Sequence, residues 1–258
     1  SGDALTTAVA VKSSAAYGEV SSALDVAGGT WRLRVTGAAS KTDLRLDSAD
    51  LALPNGQVAV LVLTPSAGGT LVDALLVKQK DAIVRADGVN ARVRAMAGVG
   101  SAGAVTASVG GVSLIESANS PVAGNYKFVP SGAPAVAISV NGNSVGAPTT
   151  SLAAGRDATL LVYGPAATPT AVWVADDNQL PSASSTSLRV RLVNGTTGVT
   201  GNASLSVDGE SIGSGGVAEG ATGTYSEITA SSSATLSVSA GAVTLFSATN
   251  QSLVAGGV

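Results

Sequence analysis

The chain has 258 residues, of which 45% are hydrophobic, only 3% aromatic and only 12% charged, with a net charge of −3. It contains 32 glycines but neither histidine nor cysteine, so the usual general base, thiolate nucleophile and zinc ligands are missing. Its 14 basic residues form no cluster of the kind that nucleic-acid binding requires. We therefore expect a protein that is not an enzyme, holds no cofactor and binds no nucleic acid.

Apolar and polar residues alternate with a period of two through most of the chain, which is typical of half-buried strands. Residues 31–35, 91–95 and 188–192 each carry two arginines at alternate positions, and we expect these arginines to face solvent. The longest apolar run, residues 58–63, is far shorter than the ~20 residues of a transmembrane segment, so none is predicted. Dipeptides that favour tight turns separate the strands: Asn55-Gly56, Asp87-Gly88, Asn141-Gly142 and Asp208-Gly209.

The strand pattern repeats at a spacing of about 98 residues, the size of one sandwich domain. The Arg-x-Arg strand at 91–95 returns at 188–192, Tyr126 returns as Tyr225, and Tyr17 marks an earlier copy. The sequence therefore predicts an all-β fold of three tandem immunoglobulin-like antiparallel β-sandwich domains. The predicted repeats are residues 1–88, lacking the first strand or strands, a complete copy at 89–184, and residues 185–258, lacking the last strands.

Three stretches resemble a known family. Residues 152–157 before an apolar strand, the Trp-Val-Ala-Asp-Asp run at 173–177 and the Arg-x-Arg strand at 188–194 are similar to tandem copies of the bacterial domain-of-unknown-function family 4397. The resemblance implies a bacterial extracellular or cell-surface protein with repeated immunoglobulin-like units and no assigned catalytic residues. The resemblance is also compatible with a lipid anchor outside these residues.

Several motifs have both a functional and a structural interpretation. Residues 98–103 match the dinucleotide fingerprint, but a strand rather than a helix follows, which favours a glycine-rich loop. Ser211 stands in a nucleophile-elbow pattern without a histidine, which favours a turn. Acidic groups at residues 81–87 and 176–178 could bind calcium between domains, or serve as ordinary turn residues. The repeated tyrosines favour a packing role over a sugar platform.

Two function classes remain. The first is a structural scaffold that assembles head to tail with copies of itself, because a sandwich that lacks strands exposes sheet edges that an incoming strand can cover. The second is an adhesin or glycan-binding envelope protein. The alternative explanation of the incomplete ends is that these residues are a fragment of a longer polypeptide whose missing strands lie just outside it. The expected donor strand, directed at the open third repeat, comprises Asp3, Ala4, Leu5, Thr6, Thr7, Ala8, Val9, Ala10 and Val11.

Overall fold

The computed structural model describes residues 5, 7–38, 40–66, 68–79, 81–149, 151–182 and 185–257. These residues form twenty strands and one short 3₁₀ turn, so the fold is all-β as predicted. The chain divides into two compact units, one of residues 1–91 with 153–156 and the other of residues 92–152 with 157–258. In the part of the chain that is described, no helix is long and apolar enough to cross a membrane.

The first unit contains two antiparallel sheets, one of two strands in the order β1-β2 and one of three strands in the order β3-β4-β5. A small core of leucine and alanine side chains from β2, β4 and β5 lies between them: Leu46, Leu51, Ala74, Leu76 and Ala86. The strands are β1 (Gly29–Thr36), β2 (Leu44–Leu53), β3 (Ala59–Pro65), β4 (Val72–Lys78) and β5 (Ile83–Ala86).

The second predicted repeat has two sheets, in the orders β10-β6-β13-β14 and β12-β11-β7-β8, and β9 also pairs with β6. β6 and β13 run parallel, with Arg92 opposite Asp157 and Val99 opposite Gly164. Fully buried valine, alanine and leucine side chains fill the core, as the low aromatic content requires. The strands are β6 (Asn90–Val99), β7 (Ala104–Val109), β8 (Val112–Asn119), β9 (Val122–Ala123), β10 (Lys127–Pro130), β11 (Val136–Val140), β12 (Asn143–Ser144), β13 (Asp157–Gly164) and β14 (Thr170–Asp176).

The third predicted repeat copies part of this arrangement. Its four-stranded sheet has the order β17-β16-β19-β20, and β15 pairs antiparallel with β18 in a separate two-stranded sheet. By position in the repeat, β15 corresponds to β6 and β18 to β10. No described strand corresponds to β13 or β14. The strands are β15 (Ser187–Val190), β16 (Ala203–Val207), β17 (Glu210–Val217), β18 (Ser226–Thr229), β19 (Ser231–Ala240) and β20 (Val243–Leu253).

Most of the predicted tight turns form where expected. Asn141 and Asp208 have positive φ angles, as do the glycines that follow them, which is the geometry of a two-residue hairpin turn. Gly56 also has a positive φ. Asp87-Gly88 differs from the prediction, because Gly88 forms an isolated antiparallel bridge with Ser48 instead of a left-handed turn.

The boundaries of three domains at 1–88, 89–184 and 185–258 stay a prediction. The second compact unit contains most of the second predicted repeat together with all of the third. The two copies therefore pack as one body, and the side chains that join them are the natural place to look for a site.

Leu61 and Leu160 occupy matching places in β3 and β13, five residues after a positive-φ glycine in each case, but Leu61 is 42% exposed and Leu160 is 0% exposed. Replacing Leu160 by Ala should lower the free energy of unfolding of the second unit by about 2–5 kcal/mol, because a full cavity forms in a dry core. The same change at Leu61 should cost the first unit less than about 1 kcal/mol.

Urea unfolding followed by tryptophan fluorescence measures both effects. Trp31 reports the first unit and Trp173 the second, so each variant is studied with the other tryptophan replaced by Phe. Equal decreases in the free energy of unfolding for Leu61→Ala and Leu160→Ala would show that β3 is buried in solution and would contradict the exposure described above.

Candidate functional site

Asp176, on β14, lies at the centre of a cluster of charged and aromatic side chains in the second unit. Its side chain is fully buried. Thr159 and Tyr126 each donate a hydrogen bond to its Oδ2 atom at 2.6 Å, and the Arg191 guanidinium donates to Oδ1. The Nε atom of Arg94 lies 4.0 Å from Oδ2. Three hydrogen-bond donors from other segments, together with the nearby positive charge of Arg94, thus compensate a buried charge that would be costly alone.

Asp157 is a second buried carboxylate in the same cluster. It faces Asp176 across the β13–β14 pair and Arg92 across the parallel β13–β6 pair. The guanidinium of Arg92 forms a fork with it, with Nε 2.9 Å from Oδ1 and Nη2 2.5 Å from Oδ2. Asn178 donates to Oδ2 from the segment that follows β14. The bidentate pair links β6 to β13 by side chains as well as by the backbone ladder.

The ring of Tyr126 stacks against both arginines of β6. The guanidinium carbons of Arg92 and Arg94 each lie 4.7 Å from the ring centroid, well within the range of a cation–π interaction. These arginines were expected to face solvent, and that expectation is wrong. Their side chains are only 17% and 29% exposed, because the tyrosine and the buried carboxylates cover them.

The third predicted repeat carries the same arrangement. Arg189 and Arg191 lie 4.6 and 4.4 Å from the centroid of Tyr225. Arg189 also donates to the carboxylate of Asp177 at 3.0 Å and to the carbonyl oxygen of Gln179 at 2.9 Å. The Arg-x-Arg segment of one repeat therefore binds the last strand and exit segment of the repeat before it.

Burial and ion pairing shift the proton affinities in this cluster. Burial raises the pKa of the Tyr126 hydroxyl, and its hydrogen bond to the Asp176 carboxylate raises it further. Burial likewise raises the pKa of Tyr225. The pKa of Asp177 is lowered, mainly because Arg189 donates a hydrogen bond to it. The folded cluster thus favours neutral tyrosines and a charged carboxylate beside the arginines.

An open cavity of about 310 Å³ adjoins the cluster. Within the described ranges, no group of three acidic side chains is placed to hold a metal ion. Asp176, Asp177 and Asn178, considered as calcium ligands, instead bond to protein donors. Chemically, this arrangement joins the second and third predicted repeats through non-covalent ion pairs. The residues around the cavity are Arg94, Met96, Asn178, Arg189, Val190, Arg191, Val193 and Tyr225.

The other sequence motifs lie apart from the cluster centre. The glycine-rich stretch 98–103 contains the 3₁₀ turn Gly100–Ala102 and leads into the strand β7, as the loop interpretation predicted. Ser211 lies on β17, paired with Ser206, directly after the turn at Asp208. Neither stretch has the strand-to-helix geometry that its enzymatic interpretation needs.

Several acidic residues of the first unit also have basic partners. Asp87 accepts a hydrogen bond from Arg85 at 3.0 Å, and Asp81 lies 3.6 Å from the Lys78 ammonium. Asp47 accepts a 2.5 Å bond from Arg32. These are ion pairs along and between strands of one unit, as expected for carboxylates at turns and strand ends.

The predicted donor strand is only partly described. Asp3, Ala4 and Thr6 lie outside the described residues. Leu5 and residues 7–11 lie outside the strands, and Val9 is 91% exposed. The donor assignment therefore stays a prediction.

Sequence reasoning considered Asp176 only as a metal ligand and missed Asp157, Thr159 and the role of the arginines. One signal was available. Asp157 and Asp176 stand at the ends of two mainly apolar strands, and a charge that such a strand buries needs a partner. The Arg-x-Arg strands and the tyrosines recur at nearly the same spacing, which indicates that they act together.

A scan against protein-family models matches no family, and a search of curated proteins finds no relative. The resemblance to family 4397 accordingly stays a prediction, and the fold and the cluster carry the functional argument.

Replacing Asp176 by Asn should destabilise the second unit by about 3–5 kcal/mol, because Arg191 and Arg94 lose the charge that compensates their burial. Urea unfolding of the variant with Trp31 replaced by Phe measures the loss. The control is Asp81→Asn in the first unit, read with Trp173 replaced by Phe; its carboxylate is about half exposed, and the change should cost no more than about 1 kcal/mol. If both variants lower the free energy of unfolding by the same small amount, the carboxylate of Asp176 is not buried.

The raised pKa values of Tyr126 and Tyr225 predict a loss of stability in alkali. Tyrosines of the unfolded chain ionise near pH 10, while these two hold their protons to higher pH in the fold, so the free energy of unfolding falls as pH rises above about 10. Tyr126→Phe should make this fall shallower when unfolding is compared at pH 8 and pH 11. The control is Thr159→Val, which also removes a hydrogen bond to Asp176 but keeps the tyrosine, and should retain the steeper fall.

Proposed function

We propose that the protein is a non-enzymatic extracellular structural protein, a tandem β-sandwich scaffold whose copies join head to tail by β-strand addition. The observation that carries the proposal is the open edge of β15. Its counterpart β6 is paired on both edges, with β13 running parallel along one of them from Asp157 to Gly164. β15 pairs with β18 on one edge, and none of the described strands pairs with the other.

The open edge already has the start of a parallel partner. The backbone N–H of Gly256 donates to the carbonyl of Ser187 at 2.8 Å, and the N–H of Arg189 donates to the carbonyl of Gly257 at 3.0 Å. In the second repeat the N–H of Gly155 likewise donates to the carbonyl of Asn90, two residues before β13 begins. A strand equivalent to β13 could therefore pair with the open edge of β15 from Arg189 onward.

A donor strand that begins with Asp3 would bring a negative charge to the positively charged Arg189. In the complete repeat, Asp157 opens β13 directly opposite Arg92. A strand from a second copy that displaces the Gly257 contact and places Asp3 opposite Arg189 would bring a carboxylate to the same position. In one copy the valines at 9 and 11 are largely exposed, so their burial would help to drive association.

The surface composition also supports assembly. Only 12% of the residues are charged and the net charge is −3, so copies repel each other weakly. The extracellular location in this proposal depends on the resemblance to bacterial family 4397.

Light scattering coupled to size-exclusion chromatography tests the proposal. We expect the molar mass of the 258-residue chain to rise in whole multiples as its concentration increases, with fibres visible by negative-stain microscopy. The double substitution Thr7→Pro with Ala8→Pro should keep the chain monomeric. Adjacent residues of a strand direct their N–H groups to opposite edges, so one of the two prolines removes a hydrogen bond to β15 whichever edge of the donor faces it.

The matched control places the same two prolines at Ser13 and Ser14, just past the donor segment, and should assemble as the parent does. A parent chain that stays monomeric at high micromolar concentration would exclude strand sharing between copies. Assembly that survives the prolines at 7 and 8 would assign the contact to another surface.

A further inference from the structure

Met96, on β6, carries the single sulfur atom of the chain, which has one methionine and no cysteine. Its side chain is only partly buried, whereas its neighbours along the strand, Ala95 and Ala97, are 0% and 5% exposed. A thioether has a lone pair that peroxides oxidise readily, while the aliphatic side chains around it have none. Met96 is therefore the residue of this region that an oxidant would modify.

Met96 lies on the face of β6 that the start of the third predicted repeat covers. Within the sheet it stands opposite Leu161 on β13 and Ala123 on β9. Leu161 is 2% exposed, and a Cβ atom on Gly195 would lie 3.5 Å from its Cδ1 atom. The segment after β15 thus packs directly on this face, and Met96 belongs to the apolar part of the junction between the second and third predicted repeats.

Two open cavities give access to this junction, and Met96 lines both of them. Their volumes are about 490 and 310 Å³. Val193, which takes the place of Met96 in the third predicted repeat, also lines both. A water molecule occupies about 30 Å³ in the liquid, and hydrogen peroxide is larger by one oxygen atom. Both cavities are therefore large enough to bring a peroxide to the side chain of Met96 in the folded protein.

We propose that Met96 is a modification site for peroxides, and that its oxidation to the sulfoxide loosens the junction between the second and third predicted repeats. With hydrogen peroxide, the S–O bond forms as the O–O bond breaks. The proton of the attacked oxygen passes to the departing hydroxide, which leaves as water. The sulfur is oxidised by two electrons and the peroxide is reduced. The site does not depend on the proposed head-to-tail assembly.

The sulfoxide is a polar group in a place that packs apolar side chains. Leu161 and Val193 offer it no hydrogen-bond donor, so the sulfoxide oxygen must keep its water, at the cost of contacts between β6 and the segment that follows β15. The ion pair of Arg191 with Asp176 belongs to the same junction, and Arg191 lines the smaller cavity beside Met96. Loosened packing should therefore expose the arginines of β15 and the residue after it more often.

Peptide mapping after mild treatment with hydrogen peroxide tests whether the sulfur is accessible. Trypsin cleaves after Arg94 and Lys127, so residues 95–127 form one peptide that contains Met96 and no tryptophan. We expect this peptide from the folded 258-residue protein to gain the mass of one oxygen atom. The matched control is Met96→Leu, which removes the sulfur but keeps the apolar volume, and its peptide should gain none.

Trypsin digestion of the folded protein tests whether the junction loosens. The side chains of Arg189 and Arg191 are 18% and 8% exposed, so cleavage after them requires local opening. We expect this cleavage to become about tenfold faster after oxidation. Cleavage after Lys12, which is 42% exposed and outside the strands, is the internal reference and should not change. Methionine sulfoxide reductases should restore the original rate, and Met96→Gln should show the faster cleavage without peroxide.

Three results would overturn the proposal. If Met96 gains oxygen only in urea, the folded protein shields the sulfur. If the peroxide-treated parent and the peroxide-treated Met96→Leu variant are cleaved after Arg189 and Arg191 at the same rate, the junction tolerates the sulfoxide. If oxidation makes cleavage slower, Arg94, which lines the smaller cavity, donates to the sulfoxide oxygen and the junction becomes tighter instead.

Discussion

The structure of the second unit depends on two buried carboxylates on neighbouring strands. Asp157 and Asp176 face each other across β13 and β14, and neither could remain charged inside the protein without strong donors. Arg92 satisfies the first from β6, and Arg191 satisfies the second from the start of the next repeat. The pairing of these charges therefore helps to set the register of the parallel strands and ties residues 189–191 to the end of β14, which hydrophobic burial alone would leave loosely specified.

Small residues make this arrangement possible. The core consists mainly of valine, alanine and leucine, whose similar shapes pack densely but discriminate poorly between alternative registers. The backbones at Gly98 and Gly195 approach so closely that a Cβ atom on Gly98 would lie 2.5 Å from the carbonyl oxygen of Gly195. Glycine at this point lets the segment that follows β15 lie against β6, and the polar cluster supplies the specificity that the core lacks.

The sequence was sufficient for the strands and most turns, because both are encoded locally. The alternation around residues 91–95 and the Asn141-Gly142 turn need no knowledge of distant partners. The cluster was not predictable in the same way, because Arg92 and Asp157 lie far apart in sequence and meet only through a parallel crossover. Alternation indicated correctly that the arginines share one face of the strand. It could not show that a tyrosine and two carboxylates cover that face, so the expectation that Arg92 and Arg94 face solvent was wrong.

β3, the strand of the first predicted repeat that matches β13, carries no charged side chain. The positions of Asp157 and Thr159, counted from the positive-φ glycine, are taken by Val58 and Val60. An arginine beside β3 would find no carboxylate on that strand, and an unpaired guanidinium cannot be buried cheaply. The two predicted repeats thus bury charge in different places, the second at Asp157 and Asp176 on β13 and β14, and the first at Asp47 on β2, which Arg32 pairs from the neighbouring strand.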